Sequence, residues 1–277
     1  MSSKASRVKS RRCDIFHLKN VIAVILLALL IVSHSAYAFK ATVAKTTAKV
    51  IATLIDNSKA LADDEIIRLA QLSDEVGGTK KVGDELGKLN LPEDVLEDAY
   101  IRIALYQGKI SRSEAEGMFQ RLANTDGFRT TLRKIIGNNP NGTKGHLNEL
   151  RIADDAAKNG YEVVSIGKKF DDGLKKGLTD IDIVLKKNDK TFIIEAKDYG
   201  IGDNLDIINY RKDLDTLIAY QKAGNSDAIP IFSMTNKPID PKYLKLLQYE
   251  ADKRNINLIF GSAEEQIEQI KMLEKIL

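Results

Sequence analysis

Two neighbouring apolar segments that carry acidic residues constrain the fold of this chain more than any other feature. Residues 179–185 read TDIDIVL, and residues 193–197 read IIEAK. Short runs rich in β-branched residues predict β-strands, and the polar residues 186–190 between them predict the tight connection of an antiparallel hairpin. Because unpaired charges are costly inside buried strands, acidic residues at these positions indicate a site rather than a solvated surface.

The geometry of a hairpin predicts where these charged side chains meet. Side chains alternate across a strand, so Asp180 and Asp182 share one face, as do Glu195 and Lys197 on the next strand. Pairing of the strands then brings Asp182 and Glu195 together, where their carboxylates repel unless a cation lies between them. Carboxylate oxygens suit a hard ion, which predicts Mg²⁺ or Mn²⁺. Lys197 beside that ion would orient a water molecule or stabilise charge on a phosphate.

The order of predicted elements gives an α/β fold with a mixed β-sheet flanked by helices, preceded by an all-α segment. The elements predicted in the C-terminal part are a helix at 144–159, strands at 161–166, 179–185 and 191–197, a helix at 204–223, a strand at 228–234, a helix at 241–254, a strand at 256–260 and a helix at 263–276. Residues 39–137 have apolar residues at helical spacing. The sequence GNNPNG at 137–142 breaks this pattern, so we predict a helical segment at 39–137 and a second domain at 143–277.

Residues 1–38 have the pattern of a secretory signal peptide. A basic region precedes the apolar run VIAVILLALLIV at 21–32, which is shorter than the roughly 20 residues that a membrane-spanning helix needs. Ala36 and Ala38 then give the spacing of a cleavage site. We expect cleavage after Ala38, a secreted or periplasmic mature protein, and contact with the membrane only through the signal peptide during export. The alternative is an uncleaved anchor, because the basic region is long.

Removal of this leader changes what chemistry the chain can support. The whole sequence carries a net charge of +3, but the leader holds six basic residues against Asp14, so residues 39–277 carry −2. Contact with nucleic acid would therefore depend on a local basic patch. Cys13, His17 and His34 also lie in the leader, which leaves His146 as the one histidine and no cysteine. A disulfide, a cysteine nucleophile, a cysteine–zinc site and a two-histidine ribonuclease mechanism are thus excluded within one mature chain.

The acidic hairpin and the helix before it resemble the PD-(D/E)XK nuclease superfamily, which has the restriction-endonuclease-like fold, over about residues 145–234. That family's core helix often supplies a glutamate, its second strand an aspartate and its third strand an E-x-K triplet. Glu149, Asp182 and the triplet from Glu195 to Lys197 fit these positions. The resemblance implies Glu149, Asp182 and Glu195 as metal ligands and Lys197 as the catalytic lysine. The proline of the family name is absent, at a position that is variable in the family.

Several other residues are weaker candidates. Gln221 is predicted as an auxiliary active-site residue, with Tyr210 behind it on the helix after the third strand, and Asp180 as a hydrogen-bonding neighbour. The alternative for that helix is an ordinary amphipathic surface. Glu149 could instead be a surface acid of its helix, and His146 a structural residue or a phosphate contact. Six lysines in or near the loops of the meander either hold a phosphate backbone or keep the loops soluble: Lys168, Lys169, Lys175, Lys176, Lys186 and Lys187.

The expected reaction is phosphodiester hydrolysis with one or two metal ions. Residues 145–199 are similar in style to the C-terminal tRNase domains of contact-dependent inhibition toxins. That resemblance, together with the leader, predicts an exported toxin-like endonuclease that acts on RNA, most of all tRNA, and that has a cognate inhibitor or immunity protein. One alternative is a DNA endonuclease of the same fold. Another is a non-catalytic protein that binds a partner through its helical segment, since fold alone does not fix function.

Overall fold

The computed structural model describes residues 92–137, 140–173, 177–203 and 205–276. The predicted signal peptide and the helices expected at 39–91 lie outside the described residues. Within the described ranges, no helix combines the length and the apolar character that crossing a membrane requires.

Three helices form the described part of the predicted all-α segment: α1 (Glu93–Tyr106), α2 (Arg112–Leu122) and α3 (Phe128–Gly137). Local sequence explains where α2 begins. The Ser111 hydroxyl accepts a hydrogen bond from the Glu114 backbone N–H, and the Glu114 carboxylate accepts one from the Ser111 N–H. This reciprocal capping box satisfies two backbone donors that the first helical turn leaves unpaired.

Helix α4 (Pro140–Lys158) follows α3 after a short connection. It begins four residues earlier than predicted, because proline is well suited to the first position of a helix, where its missing N–H costs nothing. One apolar core, which includes Phe128 of α3 and Leu150 of α4, continues across this connection and under the sheet. The domain boundary predicted at 137–143 remains a prediction.

A five-stranded mixed sheet confirms the predicted α/β class. Its strands are β1 (Glu162–Phe170), β2 (Thr179–Lys187), β3 (Lys190–Lys197), β4 (Ile229–Met234) and β5 (Asn257–Phe260), in the order β1-β2-β3-β4-β5. The first three strands are antiparallel, and β4 and β5 run parallel to β3. Helix α5 (Ile207–Lys222) joins β3 to β4, α6 (Pro241–Asp252) joins β4 to β5, and α7 (Ala263–Ile276) follows β5.

Helices cover both faces of this sheet, and alternation along the strands explains why. Ile183 and Ile194 point into a core shared with α1–α4 and α7, whereas Val184 and Ile193 point into a second core shared with α5 and α6. Strands β2 and β3 therefore bury both of their faces. Ile181 departs from the predicted alternation, since it packs in the second core rather than beside Ile183. Strand β2 thus changes its orientation at residue 182.

The β2–β3 hairpin ends where the candidate site begins. Its turn, Asn188-Asp189, has both residues at positive φ, as a two-residue type I′ turn requires, and is shorter than the connection predicted at 186–190. Pairing runs from this turn to Ile183 opposite Ile194 and then stops. Strand β3 continues to Lys197, still paired with β4. The edge of β3 that faces β2 is therefore open beyond Ile194.

Candidate active site

Asp182 lies in the opening between β2 and β3. Its Oδ2 atom accepts a hydrogen bond of 2.8 Å from the backbone N–H of Ala196. This contact satisfies a β3 donor that a continuing β2 strand would otherwise have paired. It also aims the Asp182 carboxylate at β3, beside Glu195, as the hairpin register predicts.

Lys197 is held between carboxylates from two different elements. Its Nζ donates a hydrogen bond of 2.5 Å to Oε1 of Glu195, which precedes it by two residues on the same face of β3. The same Nζ lies 3.0 Å from Oδ2 of Asp213 on α5. The Glu195 side chain is only 8% exposed and that of Lys197 is 25% exposed, so water screens this ion pair weakly.

Glu149 reaches the same cluster from α4, the helix on the other face of the sheet. Its side chain is 9% exposed, and its Oε1 lies 2.9 Å from Nδ1 of His146, one turn earlier on the helix. The charge of Glu149 contributes to the raised pKa of both Asp182 and Glu195, so its carboxylate lies within electrostatic reach of the other two. The structure thus brings Glu149, Asp182, Glu195 and Lys197 together from α4, β2 and β3.

Burial and mutual repulsion dominate the electrostatics of this cluster. Burial, followed by the charges of Glu195 and Glu149, holds the pKa of Asp182 well above its usual range. Burial also raises the pKa of Glu195 to about 7, with Asp213 and Glu149 adding to the effect and Lys197 opposing it. For Lys197, burial favours the neutral amine, but the surrounding carboxylates outweigh it and raise its pKa, so the lysine stays charged. Three carboxyl groups, those of Glu195, Asp182 and Asp213, therefore act on the Lys197 ammonium.

The donors of this cluster fit a hard divalent ion in their chemistry. Glu149, Asp182 and Glu195 offer oxygen atoms. Burial, and after it the neighbouring carboxylates, raise the pKa values of Asp182 and Glu195, and a divalent ion would favour the charged forms of both. Each carboxylate already has one hydrogen-bond partner: His146, the Ala196 N–H and Lys197, respectively. In the described part of the chain, no group of three or more acidic, histidine or cysteine side chains has an arrangement that could hold a metal ion.

The three auxiliary candidates lie elsewhere. The Gln221 amide donates a hydrogen bond of 2.6 Å to the carbonyl of Ala228, just before β4. The Tyr210 hydroxyl donates one of 3.0 Å to the carbonyl of Leu247 on α6, and its ring is buried in the second core. Asp180 forms an exposed ion pair of 3.3 Å with Lys169. The structure supports packing and anchoring contacts for these residues and gives none of them a contact with the cluster.

The direction of α5 explains the position of Gln221. This helix begins beyond the end of β3 and ends before the start of β4, because it connects two parallel strands. Only its first half therefore lies near Lys197. Gln221 follows Asp213 by eight residues, which corresponds to about 12 Å along the helix axis.

Asp213 is the site residue that sequence reasoning did not assign. It lies on the helix face that also carries Tyr210, Leu214 and Leu217, all of which are fully buried. An acidic residue among buried apolar neighbours is a signal that a charged partner lies opposite, and here the partner is Lys197. The sequence alone does not show which residue that partner is, since it depends on how α5 packs on the sheet.

Comparisons with known proteins leave the family of this chain open. No protein-family model matches the sequence, and no curated protein matches it. One solved structure that matches is the crystal structure of AF1548, a protein of unknown function, with a TM-score of 0.32 and 17% sequence identity. The match covers 48% of this chain and 65% of that chain, which is less than two thirds of its length. A similarity this low carries no argument about function.

Proposed function

We propose that this protein is a metal-dependent endonuclease of the PD-(D/E)XK type, which hydrolyses phosphodiester bonds. The observation that supports the proposal is the convergence of Glu149, Asp182, Glu195 and Lys197 at the opening between β2 and β3. Clustered carboxylates with little access to solvent destabilise a fold. Their presence at one strand opening is therefore better explained by a catalytic role than by a structural one.

The carboxylates and the lysine have different roles in the proposed reaction. Glu149, Asp182 and Glu195 would hold Mg²⁺ or Mn²⁺, and the set is compatible with one ion or two. When bound, the ion supplies positive charge for a phosphoryl oxygen and lowers the pKa of a water molecule. Lys197 stays protonated throughout the physiological pH range. Its ammonium would donate a hydrogen bond to a non-bridging phosphate oxygen or to the attacking water.

Two neighbours fix these groups in place. Asp213 holds the Lys197 ammonium from the side of α5, so the lysine is positioned by two anions rather than one. His146 contacts Glu149 and so orients its carboxylate. We class both as positioning residues, because neither is expected to touch the substrate.

RNA is the substrate that we favour over DNA. The basis is the resemblance of residues 145–199 to the tRNase domains of contact-dependent inhibition toxins, together with the predicted signal peptide. Under this proposal the protein is exported, acts as a toxin-like tRNA endonuclease and is restrained by a cognate inhibitor. The competing proposals are a DNA endonuclease with the same active site and a non-catalytic protein that binds a partner through its helical segment.

The test is cleavage of total tRNA and of plasmid DNA by the full chain, kept soluble in a mild detergent because residues 21–32 are apolar. Each substrate is incubated with Mg²⁺, with Mn²⁺ and with EDTA. Glu195→Ala and Lys197→Ala are compared with Lys245→Ala, a control that removes an exposed lysine of α6. Thermal unfolding followed by circular dichroism checks that each variant is folded.

We expect metal-dependent cleavage that both site variants lose and the control retains. Consumption of tRNA with little loss of plasmid would support the toxin-like ribonuclease, and the reverse would favour the DNA endonuclease. If the folded wild-type protein cuts neither substrate with either metal, the proposal of a nuclease is wrong, and the partner-binding alternative becomes the one to pursue.

A further inference from the structure

A cavity of about 540 Å³ lies between the start of α3 and strand β1. This volume falls within the range of about 300–1,000 Å³ that is typical of small-molecule sites. Four basic side chains line it: Arg129, Lys134, Lys168 and Lys169. Two acidic side chains, Glu93 and Asp126, also line it, so bases outnumber acids there.

The cavity lies one strand away from the candidate active site. Ile166 pairs with Ile183 and Lys168 pairs with Ile181, so Gly167, which lines the cavity, lies beside Asp182. Neighbouring strands are about 4.8 Å apart. A side-chain carbon added at Gly167 would meet nothing within 4 Å, so no other side chain packs over Gly167 on that side. The cavity therefore lies close to Asp182, with strand β1 between the two.

The basic residues of the cavity are available to an anionic ligand. Lys134 forms no ion pair with any described residue, and it is only partly exposed. Lys168 pairs with Asp126 at 3.3 Å, and both side chains are well exposed, at 42% and 66%. Exposed ion pairs of this kind contribute about 0–1 kcal/mol, so a phosphate can replace the aspartate at little cost.

Arg129 has a closer partner. Its guanidinium lies 2.6 Å from the Glu93 carboxylate, although both side chains are exposed, at 39% and 45%. We therefore assign the phosphate contacts to Lys134 and Lys168 rather than to Arg129. Asn124 and Thr130 add neutral polar groups to the lining, which includes no aromatic side chain among the residues that the structure describes. Recognition in this cavity would thus rest on charge and hydrogen bonds rather than on stacking.

We propose that this cavity binds one unstacked nucleotide of a single-stranded substrate, next to the phosphate that is cleaved at Asp182. Lys134 and Lys168 would contact the flanking phosphates. The inference rests on the proposed function and deepens it, because a cavity of this size admits a single nucleotide and excludes a base-paired duplex. It also gives the helical segment a role, since α3 supplies Lys134. Single-stranded loops and ends are the parts of RNA whose bases are free to enter such a site.

The test measures binding separately from cleavage. The full chain is titrated against a short fluorescein-labelled single-stranded RNA in EDTA, and anisotropy is followed at several salt concentrations. Lys134→Ala, Lys168→Ala and the double variant are compared with wild type and with Lys245→Ala, whose helix packs against β5 at the opposite edge of the sheet. Circular dichroism confirms that the variants are folded.

The expected result is a weaker salt dependence for each cavity variant. Every lost phosphate contact lowers the slope of log K against log salt by about 0.7 for a single strand, so the double variant should lose about 1.4. Lys245→Ala should keep the wild-type slope. In cleavage assays, Lys134→Ala should raise KM for tRNA and leave kcat unchanged.

The outcomes separate this inference from the proposed function. Unchanged affinity and slope in the double variant would refute the nucleotide site even if the wild-type protein cleaves RNA. Equal binding of a duplex RNA, with the same dependence on Lys134, would refute its selectivity for a single strand. Binding that depends on Lys134 and Lys168, without any cleavage by wild type, would support the site and refute the nuclease.

Discussion

Glu195→Gln should stabilise the protein at neutral pH while it removes activity. In the folded protein, burial and the charges of Asp213 and Glu149 raise the pKa of Glu195 to about 7, against an ordinary value of 4.5. Ionising this carboxylate therefore costs more in the folded chain than in the unfolded one. Glutamine keeps an oxygen that can accept the hydrogen bond from Lys197 but carries no charge.

The size and sign of the effect follow from linkage. One pKa unit corresponds to 1.36 kcal/mol, so a rise from 4.5 to about 7 corresponds to about 3 kcal/mol. Below pH 4.5, Glu195 is protonated in both states and contributes nothing. Between 4.5 and about 7 the folded state binds more protons than the unfolded state, so the free energy of unfolding falls as pH rises. Above a pH of about 7, the free energy of unfolding has lost this full amount. The raised pKa already includes the attraction of Lys197, so this amount is the net cost of ionising Glu195 in the folded protein.

The assay is urea unfolding of wild type and Glu195→Gln in EDTA, at about pH 5 and about pH 8. Far-ultraviolet circular dichroism is the suitable signal, since the chain has no tryptophan. We expect the two proteins to differ little at the lower pH and the variant to be more stable by up to about 3 kcal/mol at the higher pH. If the variant keeps the wild-type dependence on pH, the assignment of a strained, buried carboxylate at residue 195 is wrong.

Three further predictions test contacts around the site and the core. Asp213→Asn should lower kcat about tenfold with little change in KM. It should also shift the alkaline limb of the pH–rate profile to lower pH, because Lys197 loses one of the two anions that contact it. An unchanged profile would refute the positioning role of Asp213. Glu250→Gln should lower the thermal midpoint at neutral pH but not at about pH 2. Hydrogen bonds from Arg211 and Arg254 lower the pKa of Glu250 to about 2, so the stabilisation that the charged Glu250 provides is lost as pH falls towards that value. Gly127→Ala should destabilise the protein by at least about 1–3 kcal/mol. Gly127 has a φ of +86°, and a side-chain carbon there would lie 1.7 Å from the Ile166 carbonyl oxygen. The control is Gly145→Ala, in a helix with open space around it, which should not destabilise the protein in the same urea assay.

The strands were predictable from the sequence because their signal is local. The apolar runs and the polar break at 186–190 were enough to predict β2, β3 and an antiparallel hairpin between them. Pairing of these strands predicted that Asp182 and Glu195 lie close together, although the alternation predicted for β2 fails at Ile181. The exact turn was less predictable, because Asn188 and Asp189 both adopt positive φ, a conformation that these residues tolerate but do not require.

Positions that depend on how helices pack on the sheet were not predictable in the same way. Asp213 and Gln221 lie on one face of α5 by helical spacing, yet only Asp213 reaches the site. The difference arises because a crossover between parallel strands has one end near the carboxyl end of β3 and its other end at the start of β4. Helical periodicity determines the face of a residue, but the topology of the sheet determines which end of that face is close to Lys197.

The end of the β2–β3 ladder explains why the charges gather where they do. A continuous hairpin would pair the Ala196 N–H with β2 and leave no backbone donor for Asp182. Because pairing stops at Ile183, Asp182 bonds to the Ala196 N–H, and its carboxylate lies beside Glu195. The same separation keeps β3 anchored by β4, so Lys197 stays on a rigid strand. The fold thus places a repulsive cluster at a point where the β2–β3 ladder has already ended.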